Sequence, residues 1–362
     1  MHDDVTGRLA ARTLELVDVP SESRDEAALA AHVLGVLEQA GVPARDAGDT
    51  CVLAGAIAGP RETGRPLVIL AGHFDTVPTQ GNRPGRHQDG VVHGLGASDM
   101  KAALAVMIEL ALDLDAAATG VDLGYLFFGR EELPVAESAL TPLLGREPDL
   151  LSADLVLMME PTDNTLHAGC LGNLNATWSC HGRSGHSGRP WTADNAIHRA
   201  ARGIAALADL PYVEHEHDGL VFTEAVSVTR VAGGIADNVV PDITTAHVNY
   251  RYPPGLPADD AEARLRAWCE PHGSLEIVSN APSAPVVLDH PLVRALQARG
   301  DLAVHAKQAW TPIAEFAAFG MPAVNFGPGD PQQAHRRDEH VTDAALRRSY
   351  DVLRAFAMEP AA

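Results

Sequence analysis

The chain has 362 residues, 46% hydrophobic and 21% charged, a balance that excludes a disordered protein and suits two or three ordinary domains. Its 27 Lys and Arg against 48 Asp and Glu leave a formal net charge of −21, and no basic cluster reverses that field, which argues against a nucleic-acid partner. The four cysteines, Cys51, Cys170, Cys180 and Cys269, stand far apart, so neither a disulfide framework nor a thiolate zinc site is expected.

The N-terminal residues are charged and amphipathic, without the apolar core of a signal peptide. The longest apolar stretch, residues 102–108, is too short to cross a bilayer. The expectation is a cytoplasmic protein with no membrane partner. Residues 5–18 and 26–41 carry helical apolar spacing, with Pro20 and Ser21 between them and Gly41 as a stop. The run PLVILA at 66–71 reads as a buried parallel strand. Ser98 or Asp99 is expected to cap a helix running through MKAALAVMIELALDL. Strands follow at 122–128 and 153–159, so strand and helix alternate as in an α/β domain with a mostly parallel sheet.

Near Gly172 the pattern changes. Residues 173–181, 224–231 and 244–252 alternate between apolar and polar, as antiparallel strands with one wet face do. A helix is expected over 195–207. His215 and His217, in EHEHD, read as solvated loop residues. After APSAP at 281–285 the chain returns to a helix (291–298) and a buried strand (322–326). The predicted architecture is an α/β domain made of 1–171 and 283–362, interrupted by an α+β domain of about 110 residues over 172–282.

The residues with chemistry fall at the C-terminal ends of the predicted strands, where open α/β sheets place their ligands. His73 and Asp75 stand in GHFDTVP, Asp99 in GLGASDMK, Glu131 and Glu132 in GREELP, Glu160 directly after the ADLVLMM strand, and His335 in FGPGDPQQAH. Two residues apart on an extended segment, His73 and Asp75 leave the same face, so the carboxylate suits holding the ring. Taken singly, Asp99 reads equally as a helix cap, and the glutamates as turn residues. Together, two histidines and several carboxylates match the ligand chemistry of zinc, and suffice for two ions if one carboxylate bridges. Such a pair would acidify a shared water, leaving one glutamate as general base and acid. A nucleophile elbow, a complete dinucleotide loop and a phosphate-binding loop are all missing.

In this order and at these separations, GHFDTVP, GLGASDMKAALAVM, REELP, MEPTDN, GRSGHSGRPWTADNAIH, NVVPD and FGPGDPQQAH resemble the M20 family of dinuclear zinc peptidases and deacylases, over about residues 10–345. Within that family the motifs look most like those of its actinobacterial desuccinylase branch. The resemblance implies two Zn2+ ions, with Co2+ as a possible substitute. His73, Asp99 and Glu160 would hold one, and Asp99, Glu132 and His335 the other. Glu131 would be the general acid/base and Asp75 the partner orienting His73. The inserted domain would be a dimerisation lid forming a homodimer, its His186 reaching across to the oxyanion, while Asn238, Arg251 and Thr311 would contact substrate. The implied activity is amide hydrolysis of N-succinyl-LL-2,6-diaminopimelate in lysine and diaminopimelate biosynthesis. The rival readings are a related deacylase or carboxypeptidase acting on another N-acyl amino acid such as N-acetylornithine, or a non-catalytic metal-binding protein that keeps the fold. Departures from the family pattern fall at Cys170, where some relatives carry an arginine, at Arg130, and at Thr311–Phe316, which lacks an acidic residue after the threonine; all three are expected near the substrate.

Overall fold

The protein is described by a computed structural model covering residues 4–61 and 63–359. Its chain divides into two compact units, the first comprising the chain up to Ala168, Val287–His305 and the part from Thr311 onward, the second Gly169–Val286 with Ala306–Trp310.

The first unit is built on a mixed sheet. Its strands lie in the order Ala44–Gly48, Cys51–Gly55, Asp122–Phe128, Leu67–His73, Leu155–Met158, Ala323–Asn325, Leu166–Cys170, Val304–Lys307. The four strands at its middle, from Asp122–Phe128 to Ala323–Asn325, run parallel. Leu67–His73 is buried along its whole length, as its unbroken apolar run requires. Gly72 explains how closely the next helix, Lys101–Asp113, can approach: a Cβ there would lie 2.6 Å from a Leu104 methyl. That helix packs with Val5–Asp18 and Asp343–Met358.

Neither Ser98 nor Asp99 caps Lys101–Asp113. Met100 occupies the cap position, without a side-chain hydrogen bond. The reason is competition for the Asp99 carboxylate, which turns toward two histidines instead.

The second unit carries a five-stranded antiparallel sheet in the order Val213–His217, Leu220–Gly233, Ile243–Tyr252, Gly172–His181, Ser274–Ala281. Strict alternation along Gly172–His181 puts Leu174, Ala176, Trp178 and Cys180 in a core with Val248, Tyr250 and Tyr252. The helices Ala196–Ala208 and Ala258–Cys269 pack on this sheet, and Asn195 caps the first by accepting from Ile197 and His198 N–H groups. His215 and His217 are strand residues, not loop residues, and His215 Nε2 lies 2.7 Å from the buried Glu224 carboxylate. A VEHEH strand hides in a sequence because every side chain on a sheet edge tolerates polarity. All four cysteines are buried, and none forms a disulfide among the described residues. No helix among the described residues is long and apolar enough to cross a membrane.

Candidate metal centre

Parallel strands that start level also end level, so one edge of the central sheet collects the residues just past each strand. His73 is the last residue of Leu67–His73, Glu131 and Glu132 come after Asp122–Phe128, Glu160 after Leu155–Met158, and His335 lies in the loop after Ala323–Asn325. Asp99 arrives from the turn ahead of Lys101–Asp113. Ligand atoms of His73, Glu131 and Glu160 lie within 4.8 Å of one another, and so do those of Asp99, Glu132 and His335.

Asp99 joins the two groups. Its Oδ1 lies 3.2 Å from His73 Nε2 and its Oδ2 3.7 Å from His335 Nε2. His335 Nε2 also lies 3.0 Å from Glu132 Oε1, while His73 Nε2 has Glu160 Oε1 at 3.8 Å and Glu131 Oε2 at 4.0 Å. His73 Nδ1 sits 3.0 Å from the backbone carbonyl of Asp75. A carbonyl only accepts, so Nδ1 carries the hydrogen, and the Nε2 lone pair of the neutral ring aims at carboxylate oxygens. A lone pair facing carboxylates is a cation's coordination sphere, so these residues fit a divalent ion in donor type and in aim.

Without a cation, protons answer this crowding. Burial acts to lower the His73 pKa, but hydrogen bonds to Asp75 and Asp99 prevail and hold it well above the usual histidine range. His335 is pushed up to about 9, chiefly by its hydrogen bond to Glu132. Burial first, then the neighbouring Glu160 charge, raise the Glu131 carboxyl well above the ordinary range. A carboxyl displaced in that direction gives and takes protons closer to neutrality.

Asp75 does more than hold a ring. Its carboxylate stands 3.5 Å from His73 Nδ1, and it accepts from the backbone N–H groups of Glu131 (2.9 Å) and Glu132 (3.0 Å) and from Ser23 Oγ (2.8 Å). Burial opposes ionisation, yet His73 and these amides keep Asp75 below the usual carboxylate range. The same side chain therefore fixes the imidazole and the turn that carries both glutamates.

Arg130, ahead of Glu131, takes a left-handed backbone conformation with φ 63°. Its guanidinium bonds Asp49 Oδ2 at 2.7 Å and the Glu137 carbonyl at 2.7 Å. Through these contacts with the chain's own oxygens it braces the turn. Glu315 does not replace the acid absent after Thr311: it is buried and accepts from the hydroxyls of Ser138 and Thr141. Thr311 is itself buried, just ahead of the short helix Ile313–Ala318.

Three further expected residues belong to the second unit. His186 pairs with Val239 on a short ribbon, where Ser187 N–H donates to the Asn238 carbonyl at 3.0 Å. Gly188 N–H donates to His186 Nδ1 at 2.9 Å, so the neutral ring carries its hydrogen on Nε2 and offers a donor outward. Arg251 donates through Nε to Asn249 Oδ1 at 3.0 Å, and Asn249 in turn donates to Asn173 and Asn175. Cys170 is fully buried.

Two residues of this region carry no sequence signal. Lys101 is buried, and its Nζ donates to the carbonyls of Leu16 (3.0 Å) and Val19 (2.9 Å), closing the C-terminal end of Val5–Asp18. Burial pushes its pKa down to about 7. Glu339 is also buried, and burial pushes its carboxyl up to about 7 although three backbone amides point at it. In RRDEH it looks like one more charge on a solvated run.

The sequence profile of Peptidase family M20/M25/M40 matches residues 69–359. The chain is 37% identical to a Mycobacterium tuberculosis protein whose name designates succinyl-diaminopimelate desuccinylase activity, over 98% of this chain and 99% of that one. It is 34% identical to the succinyl-diaminopimelate desuccinylase of Corynebacterium glutamicum, over 96% of this chain and 97% of that one. Among solved structures, aminopeptidase PepT from Bacillus cereus matches with a TM-score of 0.79 at 20% identity, covering 98% of each chain, a likeness of fold.

Proposed function

The chain belongs to Peptidase family M20/M25/M40, and from that membership and the geometry of its metal centre we propose that it hydrolyses the amide of N-succinyl-LL-2,6-diaminopimelate to succinate and LL-2,6-diaminopimelate. The observation that carries the chemistry is Asp99, which presents one oxygen to each of two histidines. The full-length likeness to two desuccinylases supports the substrate.

In this reading His73, Asp99 and Glu160 would hold one ion and Asp99, Glu132 and His335 the other. When bound there, two zinc ions, or cobalt in their place, would supply the positive charge that acidifies a water and polarises an amide carbonyl. Glu131 takes the proton as the water oxygen adds to the carbonyl carbon. The C–N bond then breaks, and Glu131 returns the proton to the departing amine. Asp75 keeps Glu131 in place by holding its backbone N–H. His186, with its outward Nε2–H, is the donor we assign to the oxyanion. Arg251 and Asn238 recognise substrate carboxylates, Arg251 with the guanidinium nitrogens left over after its Nε is taken by Asn249. Thr311 we assign to substrate contact within the first unit.

We read the second unit as a dimerisation lid and the protein as a cytoplasmic homodimer. Val213–His217 pairs with Leu220–Gly233 only as far as Glu224, so on that side residues 225–233 have no strand neighbour among the described residues. Val231 is 58% and Ile235 87% exposed. An open strand edge with apolar side chains is a surface that proteins cover, and a second copy covers it here.

The test is kcat/KM on N-succinyl-LL-2,6-diaminopimelate beside N-acetyl-L-ornithine. We expect a preference for the succinylated diamine on the order of 10²-fold, what one well-placed charge-assisted contact provides; preference for the acetyl substrate would refute the assignment. Arg251→Ala is expected to raise KM roughly 10–100-fold with kcat little changed. Equal KM values would remove Arg251 from the binding site.

A further inference from the structure

We infer that Glu339 is a positioning residue for the candidate metal centre: its carboxylate sets the turn that aims Asp99 at both histidines. The inference rests on the metal-centre reading proposed above.

Glu339 is 2% exposed. Its Oε2 accepts from Gly96 N–H at 2.8 Å, and its Oε1 from Ser98 N–H at 2.8 Å and Asp99 N–H at 2.9 Å. One carboxylate thus grips both ends of the Gly96–Asp99 turn. The Glu339 carbonyl holds the approach to that turn as well, accepting from Gly94 N–H at 3.1 Å. Gly96 has φ +76°, and a Cβ there would fall 2.8 Å from a Thr76 methyl, so the turn requires glycine at this position. Ser98 Oγ adds a further tie, to the Asp330 carbonyl at 2.9 Å.

The consequence falls on Asp99. A carboxylate that bridges two ions must place two oxygens at once, and backbone placement decides whether both can reach. The Asp99 N–H is held by Glu339, and its carboxylate leaves from that fixed point toward His73 at 3.2 Å and His335 at 3.7 Å. Glu339 comes soon after His335 in the chain, so the segment that delivers one histidine also sets the bridging aspartate. A glutamine in its place accepts at one oxygen and turns an NH2 group toward the amides, which frees one end of the turn.

Zinc titration of the metal-free protein by calorimetry tests this on wild type, Glu339→Gln, Glu339→Asp and the control Glu109→Gln. Glu109 is a buried carboxylate paired with Arg8 and Arg12, away from the centre. We expect Glu339→Gln to weaken zinc binding about 10–100-fold, the range typical of losing an outer partner of a metal ligand. Glu339→Asp, which keeps both oxygens, should recover part of that loss, and kcat should fall in Glu339→Gln while KM holds. Glu109→Gln should lower the melting temperature and leave zinc affinity unchanged. Wild-type zinc affinity in both Glu339 variants overturns the inference while the metal centre stands. A wild-type protein that binds no zinc overturns the metal centre and the inference with it.

Discussion

Glu131→Gln is expected to bind zinc within a few-fold of wild type and to lose roughly 10²–10⁴-fold in kcat, the usual worth of a positioned general acid–base. The argument is geometric. Glu131 Oε2 stands farther from His73 Nε2, at 4.0 Å, than Asp99 Oδ1 at 3.2 Å or Glu160 Oε1 at 3.8 Å. Its backbone is pinned by Asp75, so the carboxyl hangs beside the ligands on a fixed stem. A glutamine keeps the shape and the hydrogen bond to Asp75 but neither accepts nor returns a proton. Loss of kcat with KM and zinc content retained is the signature of a group that acts in the transition state. If Glu131→Gln loses its zinc, the residue is a ligand, as its place beside His73 and Glu160 would allow. If it keeps near-full activity, another group moves the proton.

Asp99→Ala is expected to have a larger effect on metal than any other single change. The residue contributes an oxygen toward each histidine, so one substitution removes a ligand atom from both positions at once. Zinc affinity at both positions should fall by more than the ~10–100-fold typical of losing an outer partner, and hydrolysis should drop to background. Asp99→Asn keeps one acceptor oxygen and should retain a single weakened ion. Elemental analysis after dialysis reads both results. An Asp99→Ala protein still holding two zinc ions would show that the histidines belong to sites that do not share a ligand.

The parts of this fold visible in the sequence are those with one physical driver. Leu67–His73 is buried on both faces, so its run is purely apolar and unmistakable. Gly172–His181 is buried on one face, and its alternation shows it. The convergence of His73, Asp99, Glu131, Glu132, Glu160 and His335 is visible for a related reason: parallel strands leave the residues past their ends on one edge, and all six come after or between such strands.

The misreadings arise where long-range contacts override a local preference. Asp99 has the composition of a helix cap, but its carboxylate is claimed by histidines that arrive from His73 and His335, distant in the chain. Glu339 sits among Arg336, Arg337, Asp338 and His340, a run that looks solvated. Only the approach of the Gly96–Asp99 turn buries it, and no local pattern encodes that approach. His215 is the same lesson on a sheet edge, where Glu224 supplies the partner that the EHEHD string does not reveal.

Diffraction from crystals of the zinc-loaded protein, recorded at the zinc absorption edge, tests the two-ion centre directly. Two anomalous peaks are expected. One should lie about 2.0–2.2 Å from ligand atoms of His73, Asp99 and Glu160, the other at the same range from Asp99, Glu132 and His335. A single peak, or two peaks that do not share Asp99, would contradict a centre bridged by that carboxylate.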